Sequence, residues 1–203
     1  MKPRIKLAEI TVGDGNSLAL LEHDDAFAIS FNGSELMHSK ASASEKMLGT
    51  LGVARLNKES EARVLVGGLG LGYTLRYALK SLGPPAIVEM VEIFPEVLDW
   101  YREYLEPLNG PILSDSRVKA TNGDVARRIL KAKPNTYDAI LLDTDNGPIP
   151  LVDKSNKMLY SYMGVRAVKA ALKPNGRVVY WSAGKDDRFE GRLKSAGFTV
   201  KGI

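Results

Sequence analysis

From Arg63 onward, short apolar runs alternate with longer amphipathic stretches, and this alternation constrains the fold more than any other feature of the chain. It is the pattern of consecutive βα units wound around a parallel sheet. The runs are Val64 to Val66, Ile87 to Ile93, Val118 to Thr121, Ala139 to Leu142 and Arg177 to Ser182. Helices are predicted between and after them, at Gly72 to Ser81, Pro95 to Leu105, Val125 to Lys131, Lys157 to Leu172 and Asp186 to Ala196. Strands covered on both faces read as apolar nearly throughout, and "AILL" and "RVVYW" fit that rule. Pro95 stands where a first helical turn tolerates proline.

Ahead of this body the pattern is different. Leu18 to Leu21 and Ala26 to Phe31 read as a β-hairpin turning at His23, Asp24 and Asp25. Ser42 to Leu56 carries Met47, Leu48, Leu51 and Val53 at loosely helical spacing, with Ser42 or Ser44 as N-cap. The expectation is an α/β fold, Rossmann-like, with a mainly parallel sheet flanked by helices and an N-terminal hairpin arm. Residues 1–56 would form the arm and connecting helix, and 57–203 the Rossmann-like body, as one structural unit.

Composition excludes several classes. The chain has no cysteine, so disulfides and thiolate metal sites are ruled out, and no metal is expected. No apolar run approaches the roughly 18 residues of a membrane helix, and the first nine residues lack a signal peptide's apolar stretch, so a cytoplasmic protein without a membrane partner is expected. Its 28 basic and 24 acidic residues are dispersed, which reads as solvated surface and not as a nucleic-acid footprint.

The chemistry centres on "VLVGGLGLGYTLRYAL", where Gly67, Gly68, Gly70 and Gly72 lie between a strand and a helix. Glycine lets the main chain approach a ligand closely, and the helix start adds unpaired N–H donors. The dinucleotide fingerprint would need glycine where Tyr73 stands, so NAD is a poor match. About 20 residues further on, Glu92 and Ile93 close the next strand, and a carboxylate there can accept from both ribose hydroxyls. Asp124 in "TNGD" and Asp143 in "LLDTDNGP" also fall at strand ends, which converge on one rim of a parallel sheet. Asp124 reads equally as an N-cap. Asp143 and Asp145 read either as acid–base residues or as plain turn chemistry.

Taken in order, these segments resemble the polyamine aminopropyltransferases, or spermidine synthases, a branch of the class I S-adenosylmethionine-dependent methyltransferase fold. "VLVGGLGLGYTLRYALK" is similar to that family's glycine loop, "VEIFPEVLDWYREYL" to its ribose-binding strand and helix, "NGD" to its adenine-side motif, and "YDAILLDTDNGP" to the segment with its catalytic aspartate. The similarity runs from about Ser17 to Ser182 and includes the N-terminal hairpin. It implies a transferase that binds S-adenosylmethionine or decarboxylated S-adenosylmethionine and passes a methyl or aminopropyl group to a small acceptor, an amine in the family. By the same resemblance Glu92 would hold the ribose, Asp124 the adenine amino group, and Asp143 would be the base.

The sequence departs from the family at several places, among them the acidic motif near Asp143, which is one residue shorter than the family's. Leu71 stands where the family has an aspartate for the donor's amine, and the residues expected to grip a polyamine appear as Ser44, Glu45 and Lys46. Lys46 has the wrong sign to face a cationic amine. The competing expectation is therefore a non-catalytic adenosyl-ligand sensor or interaction protein. A homodimer is expected from the edge strands of the N-terminal arm.

Overall fold

The computed structural model describes residues 3–144, 147 and 154–203. Four N-terminal strands, β1 (Ile5–Val12), β2 (Asn16–His23), β3 (Ala26–Phe31) and β4 (Ser34–His38), form an antiparallel meander in chain order. The predicted hairpin is its centre. Its flanking strands escape a reading by alternation because β1 is half exposed and interrupted by Lys6 and Glu9, while β4 has only five residues. The turn at Gly13 to Gly15 joins β1 to β2.

Helix α1 (Ala43–Val53) leads into the body. There β5 (Arg63–Gly67), β6 (Ile87–Glu92), β7 (Val118–Asn122), β8 (Tyr137–Leu142) and β9 (Leu172–Tyr180) form one sheet in the order β7-β6-β5-β8-β9, all neighbours parallel. The chain works outward from β5 to β7, then crosses to the other side for β8 and β9. The C-terminal ends of β5 and β8 therefore flank a topological switch point, where open α/β sheets place their ligands.

Alternation along the strands decides the packing. Val64, Val66, Val88, Met90, Ala139 and Leu141 face a core shared with α1, with α2 (Tyr73–Ser81), with α3 (Pro95–Trp100) and with Leu18, Leu20 and Ile29 of the meander. Leu65, Val91, Ile140 and Leu142 face a second core with α5 (Val125–Leu130), α6 (Tyr162–Ala171) and α7 (Asp187–Ser195). Burial on both faces is why β5, β6 and β8 are apolar nearly throughout.

Two predicted helices are broken. The stretch from Pro95 does not run as one α-helix to Leu105: after Trp100 it widens into a π-helical turn, Tyr101–Leu105, before α4 (Glu106–Asn109). Tyr101 is fully buried there, and its hydroxyl donates to the Gly110 carbonyl at 2.9 Å. The stretch from Lys157 is a 3-10 helix, Lys154–Tyr160, followed by α6. Ser161 separates them by capping α6, its Oγ accepting from the Gly164 N–H at 3.0 Å. Among the described residues, no helix is long and apolar enough to cross a membrane.

Candidate functional site

The glycine loop leaves β5 at Gly67 and enters α2 at Tyr73. Two of its glycines are required by geometry. Gly68 has φ +87°, and a Cβ there would lie 2.0 Å from the main-chain oxygen of Asp143, so the loop presses directly on the segment after β8. Gly72, the N-cap of α2, also has φ +87°, and a Cβ would meet the Tyr101 ring at 2.4 Å. Both positions combine a left-handed main chain with a wall that a side chain would strike. The loop is held from either side: Gly68 N–H donates to the Val91 carbonyl and Asp143 N–H to the Gly67 carbonyl, each at 2.9 Å.

Glu92 closes β6 and is only 6% exposed. Its Oε2 accepts from the Leu69 N–H at 2.8 Å and its Oε1 from the Phe94 N–H at 3.0 Å, so one carboxylate pins the glycine loop and the turn after its own strand. Burial pushes its pKa up, and those main-chain donors oppose the shift. Asn122, at the end of β7, donates to the carbonyls of Glu92 and Ile93 at 3.0 and 2.8 Å and fixes the chain that carries them.

Asp124 does cap α5, its Oδ1 accepting from the N–H groups of Ala126 and Arg127 at 2.7 and 3.3 Å. It also borders the pocket, so the two readings of this residue coexist. Asp143 follows β8, partly buried, and its Oδ2 accepts from the Thr74 hydroxyl at 2.6 Å. Burial raises its pKa to about 6; Thr74 works against the rise, and the acidic neighbours Glu45 and Glu92 add to it. Asp145 lies outside the described residues.

These groups border one cleft of about 960 Å³, open solvent at its mouth included. Gly68, Gly70, Glu92, Ile93, Asp124 and Asp143 line it. Gly67 and Gly72 do not: a Cβ on Gly67 would strike Val125 beneath the loop, and Gly72 backs onto Tyr101. Phe94, Val97 and Val125 add apolar lining to it, as do Leu18, Ile29, Leu36 and Met37 from the meander segment and Trp181 after β9. The wall from the meander could not be read from the sequence, because nothing local says that a hairpin folds back over a distant loop. Met37 settles against Gly70, where a Cβ would approach its Sδ to 2.7 Å.

Two of the departing side chains, Leu71 and Lys46, lie away from the cleft. Leu71 does not face the cleft; it is 3% exposed in the core, and its carbonyl accepts from Asn109 Nδ2 at 2.8 Å. Lys46 also points away, its ammonium 4.9 Å from the Tyr73 ring centre and 5.9 Å from that of Tyr77. Its predecessor Glu45 borders the cleft instead. Among the described residues lining the cleft, four are acidic, Glu45, Glu92, Asp124 and Asp143, and none is basic. The charge suits a cation and opposes a diphosphate such as that of NAD. No group of three or more His, Asp or Glu able to hold a metal is found among the described residues.

The polyamine aminopropyltransferase of Prochlorococcus marinus (strain MIT 9312) is 31% identical over 120 residues, which is 58% of this chain and 40% of that protein. Putrescine N-methyltransferase 3 of Nicotiana tabacum is 33% identical over 118 residues, 57% of this chain and 29% of that one. The matched stretch thus spans less than half the length of either relative. Among solved structures, a spermidine synthase in complex with the transition-state analogue AdoDATO superimposes with a TM-score of 0.65 at 21% identity, covering 83% of this chain and 55% of that one. The spermidine synthase of Thermotoga maritima gives 0.61 at 20% identity, with 83% and 53% covered. These likenesses establish the class I methyltransferase-like fold with its N-terminal strands. The profile of the spermine/spermidine synthase domain matches residues 42–186, which is more than half of the sequence and includes the glycine loop, Glu92, Asp124 and Asp143, and by that match the chain belongs to the spermine/spermidine synthase family.

Proposed function

We propose that the protein is an alkyltransferase that takes a methyl or aminopropyl group from an adenosyl sulfonium and gives it to a small amine. The observation that carries this reading is the cleft at the switch point whose charged lining, among the described residues, is entirely acidic, with a partly buried carboxylate of raised pKa, Asp143, beside the glycine loop. Glu92 would hold the ribose hydroxyls with the lone pairs that its two main-chain donors leave open, and Asp124 would face the adenine. Phe94, Val97 and Val125 offer apolar surface for the base.

The donor supplies an electrophilic carbon on a positively charged sulfur. The acceptor's nitrogen lone pair forms the new C–N bond, the C–S bond breaks with its electron pair going to sulfur, and the amine proton passes to Asp143. Sulfonium needs little help in leaving, so the residues of this chain position the partners and remove the proton. A carboxylate with a pKa near 6 is a stronger base than an ordinary aspartate, and it is ionised at neutral pH.

Calorimetry with S-adenosylmethionine, its decarboxylated form and methylthioadenosine, followed by turnover with a panel of small amines, tests the reading. We expect binding of at least one donor, transfer to an amine, and loss of transfer but not of binding in Asp143→Asn. Binding with no turnover on any amine would turn the assignment to a sensor, and failure to bind all three adenosyl ligands would remove it.

A further inference from the structure

The hydrogen bond between Thr74 and Asp143 joins two elements that the proposed reaction treats separately. Thr74 lies in the first turn of α2, immediately after the glycine loop, and is 1% exposed. Its single hydroxyl proton points at Asp143 Oδ2 over 2.6 Å, within the range of a charge-assisted O–H···O⁻ bond. The other acceptor within reach, the Glu45 carbonyl of α1, is at 3.3 Å, which makes it the weaker claim on that proton. A buried hydroxyl needs a partner, and here the best partner is the carboxylate itself.

We infer that Thr74 is a positioning residue for the base: by donating to Oδ2 it keeps Asp143 ionised inside an acidic cleft and leaves Oδ1 to receive the acceptor's proton. The electrostatics make such a donor necessary. Among the described residues, the charged groups acting on Asp143 are Glu45 of α1 and Glu92 of β6, and both disfavour a further negative charge. Lys46, the nearest cation in sequence on α1, is turned toward Tyr73 and Tyr77. Thr74 therefore supplies the stabilisation that a cation would otherwise give. It also couples the base to the ligand loop, since a shift of α2 that carries Gly72 and the loop also moves the donor on which Asp143 depends.

The role rests on the transferase reading, whereas the coupling can be measured without it. Carbon-13 NMR of the ligand-free protein, with Asp143→Asn to assign the resonance, follows the side-chain carboxyl of Asp143 through its titration. In Thr74→Val, which keeps the volume and removes the proton, the midpoint should rise by about one pH unit or more from its unmodified position. Thr74→Ser, which restores the hydroxyl, should bring it back, and the acid limb of kcat/KM against pH should move with the same midpoints. Thr74→Ala serves as a second deletion in case valine disturbs the fold. An unchanged midpoint in both deletions, or a serine variant that titrates like valine, overturns the inference. A carboxyl that shifts as described in a protein that transfers nothing leaves the coupling in place and removes only the transferase reading.

Discussion

At the scale of single residues, Glu92 does two things at once. Each of its oxygens holds a main-chain N–H, at Leu69 on one side and Phe94 on the other. Glutamine has one acceptor oxygen and one amide donor, so Glu92→Gln would set an NH₂ against one of those N–H groups. A buried donor left unsatisfied costs about 1–3 kcal/mol, and here the cost falls on the ligand loop. We expect Glu92→Gln to abolish measurable adenosyl binding in calorimetry, while Glu92→Asp, which keeps both acceptors on a shorter stem, binds more weakly. Glutamine binding as tightly as the unmodified protein would refute the assignment. Glu92, Asp124 and Asp143 were legible because a strand end is marked in the sequence by a switch from apolar to polar residues. Thr74, Met37 and Trp181 were not, since their parts depend on contacts from distant segments.

The elements explain what the residues cannot. Helices α1 and α2 cross at Gly49, where an added Cβ would lie 2.4 Å from the Thr74 carbonyl oxygen and 3.0 Å from the Ala78 nitrogen. That close approach sets Glu45 beside the cleft and Thr74 beside Asp143. Gly49→Ala must drive the helices apart, because both nearby atoms belong to main chain that cannot rotate away. Overpacking of this kind costs about 1–3 kcal/mol. We expect a lower midpoint in urea unfolding together with weaker donor binding; full affinity in the variant would show that the crossing does not position the site. The parallel sheet was readable from its apolar runs, and its strand ends agree with the structure to within a few residues except at β9, which begins at Leu172 instead of Arg177. The π-helical turn was not readable, for nothing in "DWYREYL" departs from helical spacing, and it is the Tyr101 ring packed under Gly72 that accompanies the widening.

For the whole molecule, the meander raises the question of assembly, and the homodimer stands as a proposal. Among the described residues its outer strands β1 and β4 each have one unpaired side, but both pairings carry an irregularity, between Lys6 and Ala8 and between Ile29 and Ser30, and β1 adds the Lys6–Glu9 ion pair. Bulges and charges of this kind blunt an edge against strand addition. A second copy would therefore meet the sheet through side chains, and sedimentation velocity giving only a 22.2 kDa species would remove the dimer.

The acidic cleft also sets how global stability responds to pH. Asp143 has a folded pKa of about 6 against an ordinary value of 3.8, so between those values the native state holds more protons than the unfolded chain. Where the native state binds the extra proton, stability falls as pH rises, and above the folded pKa the full penalty is present. A shift of this size corresponds to about 1–3 kcal/mol, the upper end assuming that no other group compensates. Asp143→Asn removes the charge and keeps an oxygen to accept from Thr74. The variant should thus be the more stable protein at about pH 8, and the two should converge near pH 4. Urea unfolding at both pH values reads the difference directly. Equal gains at the two pH values would mean that asparagine acts through packing and not through the charge, and a loss at pH 8 would mean that the ionised carboxylate is held more favourably than its burial allows. The expected result has a functional corollary: a carboxylate that destabilises the resting fold is one whose charge a cationic substrate relieves on binding, so the same residue that weakens the empty protein would favour the loaded one.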